Sequence, residues 1–231
     1  MQILMDVKKL EEPIDVLLVE GCVLTQHDQD ILGKYARFAQ KIVAIGSCAS
    51  FGGPAALGNR FYRGDILRKM YPSSNPSGKS KIPTRGLPSV HEFACPIDTF
   101  VRVDLFVPGC PPEARTLRDF VNGIIENKRS FTNVKTVCDE CPRKRNGESP
   151  SKIMRIIEID EIDPDTCLVE QGLICMGKMT AGGCGAVCPS ASAPCEGCYG
   201  PSMTFRDISS VDAPTIFDFW EKRNLARNNS H

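Results

Sequence analysis

At 231 residues, 42% of them hydrophobic, the chain is long enough for one larger domain or two small ones built around ordinary cores. Its 28 basic and 28 acidic side chains cancel, which excludes a global field for nucleic acid or an anionic membrane surface. No stretch reaches the roughly 18 apolar residues of a membrane span, and the N-terminus lacks the pattern of a secretory signal, so the expected compartment is the cytoplasm.

The first predicted element is "IDVLLVEG" (14–21), a short apolar run ending in glycine, as in a strand buried on both faces of a parallel sheet. Thr25 and Asp28 have capping-box spacing, and Ile31, Leu32, Tyr35, Phe38 and Ala39 recur at helical spacing. A second buried strand (41–46) breaks into a glycine-containing loop, "GSCASFGG", that carries Cys48. Strand, helix and strand make a βαβ unit.

Residues 54–99 read as irregular, with a short helix around Ile66 to Tyr71 and a mobile surface loop, "PSSNPSGKSKIPTRG". The third strand is "VRVDLFV" (101–107). In the segment after it, Pro111 and Pro112 suit a helix start, and Leu117, Phe120, Val121, Ile124 and Ile125 give a buried stripe. Cys48 and Cys110 therefore follow the carboxyl ends of parallel strands, where open α/β sheets place their ligands. From Cys138 onward Gly, Pro and Cys dominate, as in a segment held together by metal more than by a core.

Twelve cysteines in a reducing compartment point to metal binding before disulfides. Eight of them lie in the last 94 residues: Cys138, Cys141, Cys167, Cys175, Cys184, Cys188, Cys195 and Cys198. Four thiolates per site makes two sites. Zinc ribbons pair two CxxC knuckles around one ion, whereas here single cysteines and x3 and x6 gaps intervene, which favours iron-sulfur clusters over a zinc module. Spacing leaves the division of the eight between two clusters open.

The series "GSCASFGG", "VPGCPPEA", "CDECPR", "CLVEQGLICMGKMTAGGCGAVC" and "PCEGCYGP" resembles the small subunit of cytoplasmic [NiFe] hydrogenases, in particular the methyl-viologen-reducing type that works with heterodisulfide reductase. The likeness runs from about residue 14 to residue 201. It implies an α/β fold: a flavodoxin-like parallel sheet over 1–133, an irregular cysteine-rich domain over 134–201 with two 4Fe-4S clusters, and a C-terminal tail, 202–231. It also implies an electron-transfer role as the non-catalytic subunit of an oxidoreductase, with two or three 4Fe-4S clusters. The implied partners are a [NiFe] large subunit and a ferredoxin-like or flavin-containing acceptor, heterodisulfide reductase among them. By position Cys48 and Cys110 match two proximal-cluster ligands, and the eight later cysteines match the medial and distal ligands. The three histidines, His27, His91 and His231, lie outside that stretch, which favours all-cysteine ligation.

The sequence departs from the family at its start. Members begin with a strand and a CxxC pair that supplies the other two proximal ligands, and this sequence shows neither. A shortened chain, a second polypeptide that supplies the missing part, and replacement ligands Cys22 and Cys95 are the three explanations; the missing strand would be central, and its loss would expose both neighbours. Two other function readings stay open: a relay in a hydrogenase-like complex that no longer oxidises hydrogen, and a zinc-binding module.

Several residues have plainer readings. Cys22 and Cys95 are equally buried small hydrophobes, and Glu20 is a solvated carboxylate before it is part of a proton route. Gly52 and Gly53 suit close packing beside Cys48. Arg143, Lys144 and Arg145 read as a solvated surface, at most a docking patch, and the tail with Phe217, Phe219 and Trp220 reads as an anchor.

Overall fold

The computed structural model describes residues 12–72, 82–125 and 135–202. The tail, most of the Pro/Ser-rich loop, and Ile125 as a side chain lie outside the described residues. The chain forms two compact units that separate between Phe106 and Val107. The sequence places its boundary at residue 133, just ahead of the dense cysteine series. The spatial division comes earlier and puts Cys110 with the cysteine-rich part.

The first unit is built on β1 (Ile14–Glu20), α1 (Gln26–Ala36) and β3 (Ala39–Ile45). β1 and β3 pair in parallel from Ile14↔Ala39 to Glu20↔Ile45, and β5 (Leu105–Val107) completes the sheet order β1-β3-β5. The fold is the expected α/β class with a parallel sheet. β1 and β3 bond directly to each other, so no gap stands between them. β1 nevertheless alternates, with Leu17 and Val19 buried and Leu18 exposed at 53%, so the strand is covered on one face and not on both.

The capping box forms as expected. The Asp28 amide donates to Thr25 Oγ1 at 3.2 Å, and the Thr25 amide donates to Asp28 Oδ2 at 2.9 Å. The helix ends at Ala36, so Phe38 and Ala39 fall past it and Ala39 already belongs to β3. Cys48 lies in a short helix, α2 (Gly46–Phe51), and not in a loop, because Gly46 and Gly52 take left-handed backbone at its two ends. α3 (Gly53–Ala56) follows at once. The predicted third strand is shorter than expected. Its first half bends away, and the Asp104 carboxylate accepts from the Ile42 amide at 2.9 Å while the Asp104 amide donates to Ile42 O at 2.8 Å.

The stretch read as irregular contains α4 (Arg63–Met70), near the expected helix, and an unforeseen strand, β4 (Val90–Cys95), antiparallel to β2 (Val23–Thr25). Asn59 clamps β4 by donating to Ala94 O at 3.0 Å and accepting from the Ala94 amide at 2.8 Å. Leu17, Val19, Val23, Leu32, Ile42, Ala44, Ala49 and Ile97 form the core of this unit.

In the second unit α5 (Ala114–Ile125) occupies the predicted helix, yet only Phe120 of the described stripe is fully buried; Leu117 and Val121 are exposed. Its apolar pattern marks a face that the described residues of this chain do not cover. Beyond it the only helices among the described residues longer than a 3-10 turn are α6 (Val137–Glu140) and α7 (Val187–Ser190), four residues each.

Ile97 has no exposed surface and packs into the centre of the first unit. Ile97→Ala is expected to destabilise it by roughly 2 to 5 kcal/mol, read as a lower urea midpoint with an unchanged slope.

Candidate metal centre

Each cysteine of the second unit is positioned by local hydrogen bonds. Thr136 caps α6, its amide donating to Asp139 Oδ2 at 2.7 Å, so that Cys138 lies within that helical turn and Cys141 just past it. The chain then runs parallel to residues 165–167: the Lys144 amide donates to Asp165 O at 2.7 Å and the Cys167 amide to Lys144 O at 2.8 Å. This pairing brings Cys167 beside the first knuckle. Gly177 lies against the same place, where an added Cβ would stand 3.1 Å from Cys138 Sγ, and it brings Cys175 in two residues earlier.

These four cysteines line one pocket. Its wall is Cys138, Cys141, Cys167 and Cys175 together with Val137, Leu168, Val169, Pro189, Gly177, Arg143 and Arg145. Burial pushes the Cys138 thiol up to about 11, against the pull of Arg145, and the thiols of Cys175, Cys141 and Cys167 add to the rise. Among the described residues no three His, Cys, Asp or Glu side chains converge tightly enough for a single ion. Four cysteines spread around a pocket wall match the needs of a multi-iron cage, and the donor set is all thiolate, so the residues fit a cubane.

The other four form a second group. Cys198 is pushed up to about 11 by burial first and then by Cys195, with Cys184 and Cys188 adding, while a hydrogen bond from the Cys110 backbone works the other way. Cys188 is raised by burial and then by Cys184. Glu140 links the two groups: its carboxylate accepts from the amides of Gly183 and Gly185, each at 2.8 Å, on either side of Cys184. The Cys195 amide donates to Cys175 Sγ at 3.3 Å. Cys138, Cys141, Cys167 and Cys175 thus share the wall of one pocket, the other four act on one another's thiols, and Cys175 acts on Cys188 and Cys195 as well.

The basic run is corrected at Arg143, while Lys144 and Arg145 are exposed as expected. Arg143 is buried, and its guanidinium donates to Pro189 O at 2.7 Å, Asp163 O at 2.5 Å, Thr166 O at 2.9 Å and Ser192 Oγ at 2.8 Å. Arg145 donates to Cys138 Sγ at 3.5 Å. Sequence reasoning missed the burial of Arg143, the contact of the exposed Arg145 with sulfur, and Glu140, because nothing in "CDECPRKR" distinguishes these charges from freely solvated ones.

Three of the upstream cysteines belong to the first unit. Cys22 is buried, and its thiol is raised by burial and then by Cys48. Val23, next in sequence, pairs with Cys95. Gly53, with φ of +55°, lies so close to Cys48 that an added Cβ would stand 2.7 Å from its Sγ, which bears out the close-packing reading of that glycine. Glu20 is exposed, as a solvated carboxylate should be. Cys110 is exposed and belongs to the second unit, ahead of α5.

The family model for "NADH ubiquinone oxidoreductase, 20 Kd subunit" matches residues 1–124. A vhu subunit of the F420-non-reducing hydrogenase of Methanocaldococcus jannaschii is 36% identical over 214 residues, 93% of this chain and 74% of that one. The chain belongs to the NADH ubiquinone oxidoreductase 20 kDa subunit family, in its hydrogenase small-subunit branch. Other members of that branch include the corresponding F420-non-reducing hydrogenase chain of Methanothermobacter marburgensis, 32% identical over 89% of this chain and 68% of its own length. The sulfhydrogenase 2 subunit delta of Pyrococcus furiosus is 30% identical over 85% of this chain and 70% of its own length. A solved structure, the NAD+-reducing [NiFe]-hydrogenase in the H2-reduced state, aligns with 56% of this chain and 74% of that one at 31% identity and a TM-score of 0.49. No helix among the described residues is long and apolar enough to cross a membrane.

Replacing Arg143 removes four hydrogen bonds and strips the carbonyls of residues 163, 166 and 189 of a donor each. Arg143→Met is expected to cost roughly 3 kcal/mol or more, read as a lower thermal midpoint and faster loss of bound iron to a chelator. Arg143→Lys should not rescue it, because a single ammonium cannot reproduce the planar fork.

Proposed function

We propose that this chain is the electron-transfer subunit of a [NiFe] hydrogenase complex, with one 4Fe-4S cluster held by Cys138, Cys141, Cys167 and Cys175 and a second by Cys184, Cys188, Cys195 and Cys198. The observation that carries the reading is the pocket walled by the first four cysteines, in a chain whose relatives are named hydrogenase subunits. A bound cubane supplies one-electron redox chemistry. The chain's own residues bind it and set its surroundings. Val137, Leu168, Val169 and Pro189 give the first pocket an apolar wall, which lowers the local dielectric, and the Cys195 amide supplies an N–H donor to the Cys175 sulfur.

Forming thiolates has a cost in the metal-free chain, since burial holds Cys138 and Cys198 protonated at neutral pH. Iron must displace those protons, so loading is favoured by rising pH. No acid-base or nucleophile constellation accompanies the cysteines among the described residues. The bond-breaking chemistry accordingly belongs to a nickel-iron large subunit, and electrons leave to a ferredoxin-like or flavin-containing partner such as heterodisulfide reductase.

For the upstream site we assign Cys48 and Cys110 as proximal ligands from the motifs "GSCASFGG" and "VPGCPPEA". The closeness of Cys22 to Cys48 and the pairing of Val23 with Cys95 support Cys22 and Cys95 as the remaining pair. The exposed apolar side chains Phe61, Tyr62, Met70 and Phe93 of the first unit suit the surface of a permanent partner subunit.

The test uses the anaerobically purified complex. Cys167→Ser is expected to lower bound iron and sulfide by about four per chain and to abolish one electron paramagnetic resonance signal while leaving the signal of the second cysteine group. Hydrogen-dependent dye reduction should fall about tenfold or more, with hydrogen-deuterium exchange at the large subunit retained. A colourless, zinc-containing protein would exclude the reading.

A further inference from the structure

Arg145 stands at the wall of the first pocket, next to sulfur. Its Nη2 donates to Cys138 Sγ at 3.5 Å, and Cys167 lines the same wall. The backbone on both sides of it is fixed. Lys144 is paired with residues 165–167, and the amides of Asn146 and Gly147 donate to the Glu170 carboxylate at 2.8 to 3.0 Å. A guanidinium so placed has a planar fork of N–H donors and a permanent positive charge beside ligands whose negative charge grows when an electron arrives.

We propose that Arg145 is the residue that sets the reduction potential of the cluster held by Cys138, Cys141, Cys167 and Cys175: its charge and its N–H···S bonds stabilise the reduced form and raise the potential of that cluster above the value its thiolates alone would give. The inference rests on the cluster assignment under Proposed function. Arg145 is a positioning residue in this scheme: it acts on the cluster through its ligands.

The experiment is a potentiometric titration of the whole complex, followed by electron paramagnetic resonance, in the wild type, R145Q and R145K. In R145Q the first cluster's signal should be retained and its potential lowered, with about a tenfold fall in the reduced-to-oxidised ratio at a fixed potential, equivalent to about 59 mV for a one-electron couple. The second cluster should move by much less. In R145K, which keeps the charge without the fork, the lowering should be intermediate. A loaded R145Q cluster at the wild-type potential overturns the role of Arg145 and leaves the cluster assignment standing. Wild-type protein without iron overturns both. If R145Q arrives without this cluster, R145K decides: a wild-type potential, or a lost cluster there too, overturns the proposal, and an intermediate potential sustains it.

Discussion

The guanidinium of Arg143 is the contact on which the cysteine-rich unit depends. A segment of some seventy residues with two four-residue helices and isolated bridges shows only a small core among the described residues, yet its sulfurs must be held in fixed positions. Arg143 meets that demand from the inside. It reaches carbonyls of 163 and 166 on one side and residues 189 and 192 on the other, so it fastens the approach to Cys167 to the turn that carries Cys188. Five donors on a rigid plane suit this task better than any apolar side chain could.

The first unit solves a different problem with ordinary means. β1, α1 and β3 form a short-range βαβ unit whose parts are stabilised by a capping box and an apolar core. Its glycines then bend the chain so that α2 carries Cys48 immediately after β3. The antiparallel pair β2 and β4 adds a second layer of constraint, and it takes Cys95 from the end of a long excursion back beside the turn that follows β1.

Much of this was legible in the sequence because it rests on local signals. The 3.6-residue recurrence before Tyr35, the Thr25/Asp28 pair and the three apolar runs each report a few neighbouring residues, and each is found near its expected place. The errors came where one side chain's role depends on residues far along the chain. The strand Val90–Cys95 has an irregular pattern, with three of its six residues exposed, because it pairs with a three-residue strand some seventy residues earlier. Arg143 and Arg145 look alike in sequence and like Lys144, and only the folding back of 163–167 and 189–192 draws the first inward and the second onto sulfur. The metal-ligand character of the eight cysteines could be read from spacing and the ordered motifs. Which four of them wall the first pocket could not, since the gap from Cys175 to Cys184 is of the same kind as the gap from Cys167 to Cys175.

The hydrogen bond from the Cys195 amide to Cys175 Sγ joins the backbone of one group to a sulfur of the other. Electronic coupling decays steeply across empty space and far more gently along bonds. In a loaded chain this contact would offer tunnelling between clusters held by the two groups a path of covalent links and one N–H···S bridge. That link belongs to the main chain of residue 195, so replacing a side chain other than the two cysteines leaves it in place.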